Sequence, residues 1–133
     1  MKYLLDTNVC INALHWRHPI LMQRLLAIPA SEKVICSIVR AELYYGAYKS
    51  QRPQNSLVDL QTFLQPYPNL DFDIEAARIC GEVRADLARK GTPIGPNDVQ
   101  IAAIALAHNL TLVTHNTREF RRVPNLPLED WEI

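Results

Sequence analysis

Three acidic residues stand where apolar runs begin or end: Asp6 directly after Tyr3-Leu4-Leu5, Glu42 between Ala41 and Leu43, and Asp98 just after Gly95-Pro96. Distance along the chain does not keep such residues apart in space. Gathering carboxylates in one cleft is unfavourable, because like charges at reduced dielectric repel and raise each other's pKa. A bound divalent cation removes that difficulty. Hard oxygen ligands with no Cys or His cluster beside them favour Mg²⁺ or Mn²⁺ over zinc. Such an ion activates a water for in-line attack on a phosphodiester and neutralises charge on the scissile phosphate, leaving a 3′-hydroxyl and a 5′-phosphate. Each acid taken alone has a plainer role: Asp6 as a turn former, Asp98 as a helix-dipole partner worth roughly 0.3 to 1 kcal/mol, Glu42 as a solvent-facing helix glutamate.

The elements that must position these acids are legible in the apolar pattern. Tyr3 to Leu5 reads as a buried strand, followed by a helix capped by Thr7 and carrying Val9, Ile11 and Leu14. Pro19 opens a helix with Leu21, Leu25 and Leu26, and Pro29 closes it. Lys33 to Cys36 reads as the second strand, and Ser37 then caps a helix to Lys49 that carries Glu42. Pro53 begins a helix with Leu57, Leu60, Phe63 and Leu64, stopped by Pro66 and Pro68, after which Leu70 to Phe72 is a candidate short strand. A helix from Ile74 to Lys90 uses Ile74, Ala77, Val83 and Leu87 as its apolar face and ends at Gly91. The next starts at Gly95-Pro96-Asn97-Asp98, with Ile101, Ala102, Ala105 and Leu106 facing inward. Leu110 to Val113 forms a strand ending in the polar turn Thr114 to Thr117, and Leu126 to Leu128 adds an edge strand, with Trp131 packing the tail. Strands separated by helices imply right-handed crossovers and an α/β fold: a mostly parallel central sheet of about four to five strands, flanked by helices. Sites in such sheets form beyond the strands' C-terminal ends, where Asp6 falls.

Bulk properties fit one domain spanning residues 1–133, since 48% hydrophobic residues supply a single core. Fourteen Lys and Arg balance fourteen Asp and Glu, so any nucleic-acid contact must be local rather than a matter of overall charge. Cys10, Cys36 and Cys80 are odd in number and lie among apolar neighbours, which reads as buried thiols in a reducing cytosol. No run approaches the roughly 20 apolar residues of a membrane span and no signal-peptide pattern precedes Asp6, so a cytoplasmic protein without membrane contact is expected.

The segments MKYLLDTNVCI, SIVRAELYYG, GTPIGPNDVQIAAIAL and LVTHNTREF, in that order and closed by RVPNLPLEDW, strongly resemble PIN-domain ribonuclease toxins of the VapC type, across nearly the whole chain. The resemblance implies a single PIN domain and a Mg²⁺- or Mn²⁺-dependent endoribonuclease whose metal-binding acids match Asp6, Glu42 and Asp98. It also implies a translation inhibitor cutting structured RNA, commonly tRNA or rRNA. A cognate VapB-type antitoxin that lays a C-terminal segment across the toxin's groove, homodimers and toxin–antitoxin hetero-oligomers are implied likewise. One departure concerns the turn after Leu110 to Val113, where many PIN domains carry a fourth acid: here that place holds Asn116, with Glu119 one helical turn on. Glu119 either completes the catalytic acids or is a helix-start acid neutralised by Arg118, Arg121 or Arg122. Thr7 and Asn8 are expected to fix Asp6, and Asn116 to hold a water at the ion, although turn-forming and capping roles explain the first two equally.

Other residues invite chemistry less strongly. His15 and His18 share a spacing that suits zinc but have no further ligand nearby in sequence, and His115 suits RNA contact better than catalysis. Tyr44, Tyr45 and Tyr48 can stack bases, form an interface or pack the core, and Arg17, Arg24, Lys49 and Arg52 are equally phosphate contacts or solvated charge. A haloacid-dehalogenase-like phosphatase would want an acid where Asn8 stands, and a receiver-type phosphoacceptor would want paired acids at the first strand end. The rival of another class is a catalytically silent PIN-fold module that binds RNA or protein, against which the retention of all three acids argues.

Overall fold

The computed structural model describes residues 1–133. Four strands form one wholly parallel sheet in the order β2-β1-β3-β4: β1 Tyr3–Leu5, β2 Lys33–Val34, β3 Thr111–Val113 and β4 Leu128–Glu129. Seven helices surround it: α1 Thr7–Leu14, α2 Pro19–Ala27, α3 Ser37–Tyr48, α4 Pro53–Leu64, α5 Ile74–Arg89, α6 Pro96–Ala107 and α7 Thr117–Phe120. One cluster of 31 buried apolar residues runs through the chain, which leaves no second core to define another unit. Helix α6 lies at its centre: Ile101 to Ala105 are all buried, as expected of a helix apolar on every side.

The sheet order determines where a site can form. The chain leaves central β1 to build β2 on one side and returns to build β3 on the other, so the crevice beyond β1 and β3 is the switch point. Tyr3 pairs with Thr111, Leu4 with Leu112 and Leu5 with Val113. The ladder extends one step further, with Asp6 N–H donating to the Val113 carbonyl at 3.0 Å, so Asp6 and Thr114 emerge side by side.

Several sequence expectations shift. Strand β2 stops at Val34 rather than reaching Cys36, and Leu70 to Phe72 forms no strand. This segment does run beside the end of β2: Ile35 N–H donates to the Pro68 carbonyl and Ser37 N–H to that of Leu70. The return bond of a parallel ladder would need the Ile35 carbonyl, but Arg40 Nε holds it at 2.9 Å, so the pairing is one-sided. The last strand sits slightly later than expected, because Pro127 contributes only its carbonyl, to Leu112 N–H, before Leu128 and Glu129 pair with Leu112 and Val113. Helix α5 buries Ala76, Cys80, Val83 and Leu87, while Ile74 is 91% exposed and Ala77 is exposed, so its inward face starts at Ala76. Leu26, expected in the core, is also exposed. The helix caps fall one residue earlier than expected, at Asp6 and Cys36 rather than Thr7 and Ser37. The three cysteines are free and buried, and Trp131 is buried with its ring edge-on to Tyr3 at 5.0 Å.

Candidate active site

Asp6 ends β1 and caps α1, and both roles use its carboxylate. Oδ1 accepts from Thr7 N–H at 2.8 Å, and Oδ2 accepts from the fully buried Thr114 hydroxyl at 2.8 Å. Asp6 is 5% exposed, and this burial raises its pKa, against the lowering effect of the Thr114 and Thr7 bonds; the charge of Glu42 adds to the rise.

Glu42 reaches the cleft from α3, where the Thr7 hydroxyl donates to its Oε1 at 2.7 Å. On the other side, Asn116 N–H donates to the Thr114 hydroxyl at 3.0 Å, and Asn116 Nδ2 donates to Glu119 Oε2 at 3.3 Å. A continuous chain of hydrogen bonds therefore runs Glu42, Thr7, Asp6, Thr114, Asn116, Glu119. The Thr7 backbone steadies Asp6 while its hydroxyl serves Glu42. Asn8 is exposed and makes no hydrogen bond to Asp6. None of Arg118, Arg121 and Arg122 neutralises Glu119: Arg121 Nη2 donates to Thr117 Oγ1 and Arg122 Nη1 to the Pro93 carbonyl.

Asp98, in the first turn of α6, stands outside that chain and has no hydrogen-bond donor of its own. Burial first, then the charges of Asp6, Glu119 and Glu42, push its carboxyl from the ordinary 3.8 up to about 6. The four acids, from the end of β1 and from α3, α6 and α7, are thus close enough for the other three to act on Asp98. Burial and these charges together outweigh the favourable α6 dipole. No three of the four bring ligand atoms mutually within 4.8 Å. An all-oxygen set of this breadth suits an ion that keeps several of its own waters, and its excess negative charge has no cation from the chain to balance it.

Other candidates lie elsewhere. The His115 ring turns to Asp130, and His18 pairs with Glu132 rather than with His15. Tyr45 and Tyr48 are exposed, whereas Tyr44 packs on the core. A cleft of about 530 Å³ adjoins Glu42, walled by apolar side chains including Ile11, Leu14 and Trp16 from the α1 region, Leu43 from α3 and Phe63 from α4. Thr114, expected in a polar turn, is instead a buried donor to Asp6. Its only sequence signal is a hydroxyl at the end of the strand that pairs with the one ending in Asp6.

A family model for the PIN domain matches residues 3–126. The chain is 42% identical over 131 residues to the tRNA(fMet)-specific endonuclease VapC of Salmonella typhimurium, covering 98% of each. It is also 42% identical over 134 residues to ribonuclease VapC2 of Rickettsia felis, covering 99% of each. In structure it matches the DNA-bound VapBC of Salmonella typhimurium with a TM-score of 0.93, at 42% identity over 98% of both chains. The promoter-bound VapBC2 of Rickettsia felis matches with a TM-score of 0.90, at 39% identity over 98% of this chain and 99% of that one. A parallel sheet with acids at its switch point, matched along its length in this way, is a PIN domain. Within that family the chain belongs to the ribonucleases of the VapC type. No helix is long and apolar enough to cross a membrane.

Proposed function

We propose that this chain is the toxin of a type II toxin–antitoxin pair: a Mg²⁺- or Mn²⁺-dependent endoribonuclease that cuts structured RNA in the cytoplasm and so inhibits translation. The observation that carries this reading is Asp98, half-buried, without a hydrogen-bond donor and surrounded by three further acids. Uncompensated charge of this kind is useful where a divalent ion and a phosphate backbone meet.

Asp6, Glu42 and Asp98 would hold the ion, with Glu119 as a fourth acid presented by Asn116. When bound, the ion supplies Lewis acidity toward the scissile phosphate and acidifies a water for in-line attack. The chain's own work is positional. Thr114 and the Thr7 backbone orient the two Asp6 oxygens, and the Thr7 hydroxyl orients Glu42, so the acids keep their spacing while the phosphodiester is exchanged for a 3′-hydroxyl and a 5′-phosphate. Among structured RNAs, tRNA is favoured over rRNA, because relatives from Salmonella typhimurium and Shigella flexneri are tRNA(fMet)-specific endonucleases.

The partner is a cognate VapB-type antitoxin, consistent with the VapBC complexes among the structural neighbours. Its C-terminal segment fits the apolar cleft beside Glu42, where exposed Trp16 offers an anchoring surface. Exposed Tyr45 and Tyr48 suit the homodimer and the larger toxin–antitoxin assembly.

The test is RNA cleavage by antitoxin-free protein with Mg²⁺ or Mn²⁺, beside Asp6→Ala and beside added chelator. Cleavage lost in both controls supports the metal site, and undiminished cleavage in both rejects it. No cleavage of any cellular RNA would favour the silent binding module. Mapping cleavage ends across total cellular RNA identifies the substrate.

A further inference from the structure

The C-terminal tail carries a second group of ligating side chains, which the acid cleft does not use. Beyond β4, Trp131 is buried between Asp130 and Glu132, and Glu132 N–H donates to Asp130 Oδ1 at 3.0 Å, closing a tight turn. His115, just past β3, approaches with Nδ1 2.9 Å from Asp130 Oδ2. His18, in the connection before α2, approaches with Nε2 3.1 Å from Glu132 Oε1. Ligand atoms of His115, Asp130 and Glu132 lie mutually within 4.8 Å, the only such trio of His, Cys, Asp or Glu in the protein.

Glu132 supplies an independent sign that something is to be bound. Its side chain is 4% exposed. Oε1 accepts from Asn12 Nδ2 at 3.3 Å and faces His18, whereas Oε2 is buried with no hydrogen-bond partner, the one side-chain atom in the protein so placed. Leaving a buried polar atom unsatisfied costs about 1 to 3 kcal/mol, more when it is charged, so native folds seldom tolerate it without a ligand.

We propose that His115, Asp130 and Glu132 form a second cation site, separate from the acid cleft, that takes a divalent transition metal of the Zn²⁺ class, with water in the remaining position. One imidazole nitrogen with two carboxylates is a borderline donor set, which suits zinc and its neighbours better than Mg²⁺. The His115–Asp130 pair at 2.9 Å approaches the edge of about 3.3 Å expected in a tetrahedron with bonds of about 2.0 to 2.1 Å, and all three ligand atoms lie within 4.8 Å of one another. Two carboxylates balance a dication, and Asn12 and His18 hold the buried carboxylate from behind. His18 meets Glu132 from outside the trio, and not His15, the partner its sequence spacing suggests. The ion ties the end of β3 to the tail, bracing from outside the turn that leads into Asn116 and Glu119.

The experiment uses full-length, chelator-treated protein carrying Asp98→Asn, which weakens the acid cleft. Zn²⁺ is titrated by calorimetry, and Co²⁺ is followed by visible absorption. The expected result is one Zn²⁺ bound per chain and the intense absorption of four-coordinate Co²⁺. His115→Asn alters an exposed ring and leaves the fold intact, while Glu132→Gln tests the buried ligand. Each should weaken Zn²⁺ binding by about a hundredfold or more, since even groups behind a metal ligand matter by 10–100-fold. Zn²⁺ affinity unchanged in His115→Asn overturns the proposal. So does a Co²⁺ spectrum of the weak, six-coordinate kind. Absence of Zn²⁺ binding, with no rise in Tm on adding Zn²⁺, would leave only two histidine–carboxylate contacts and likewise overturns it.

Discussion

Replacing Asp98 by asparagine in metal-free protein should strengthen the fold while removing cleavage. The Asp98 carboxyl is raised from 3.8 to about 6, by burial first and then by Asp6, Glu119 and Glu42, so the folded protein holds that proton more tightly than the unfolded chain. The associated stability is fully present below the unfolded value of 3.8 and is lost as pH rises through about 6. At about 1.4 kcal/mol per pH unit the interval is worth at most about 3 kcal/mol, and solvent screening of a half-buried group halves this to about 1.5 kcal/mol. The substituted amide carries no charge to lose, so D98N should exceed wild type by about 1 to 1.5 kcal/mol at pH 7.5 in chelator. For a domain of this size that is about 3 to 6 °C in Tm. The gap should close at pH 4, where both side chains are neutral, and, with Asp98 as a ligand in the proposed site, should narrow or reverse with saturating Mn²⁺. Urea and thermal unfolding at the two pH values, with and without the ion, measure all of this. A variant no more stable than wild type at pH 7.5, or equally stabilised at pH 4, would refute the electrostatic account of the cleft.

Thr114→Val should cost about 2 to 3 kcal/mol in urea unfolding, because Asp6 Oδ2 loses its donor and Asn116 N–H its acceptor in a buried place. Losing that bond also raises the Asp6 pKa further, so the acidic limb of the cleavage pH profile should move to higher pH. Thr7→Ala should leave stability within about 1 kcal/mol of wild type yet weaken Mn²⁺ binding about tenfold by calorimetry, since the hydroxyl orients Glu42. Glu119→Gln should weaken divalent-ion binding and Asn116→Asp strengthen it in the same titration. If neither changes, the α7 turn is not part of the metal site.

The strands and helices that carry Asp6, Glu42 and Asp98 were legible because each acid interrupts or opens an apolar run of clear period. Other parts depended on contacts no local pattern encodes. Leu70 to Phe72 has strand-like alternation, but its pairing depends on the Ile35 carbonyl, which Arg40 occupies from one helical turn away. Ile74 opens α5 on the side with no neighbour, so an apolar residue at helical spacing stays in water. Thr114 matters through a bond to a residue 108 positions earlier. Glu132 was invisible for the same reason: its meaning comes from His18, Asn12 and His115, which the sheet and the tail turn assemble.

The bond from Asp6 N–H to the Val113 carbonyl makes this acid the last rung of the central ladder. Slipping β1 by one residue against β3 would send Leu5 toward the cleft and Asp6 toward the opposite face, at the expense of the whole core. Its placement therefore shares the global stability of the domain, and no partial opening of a loop can misalign it cheaply. A cell carrying such an enzyme cannot rely on the molecule to relax itself into silence. On the proposed function, restraint has to be applied from outside, by occluding the crevice or keeping the cation away.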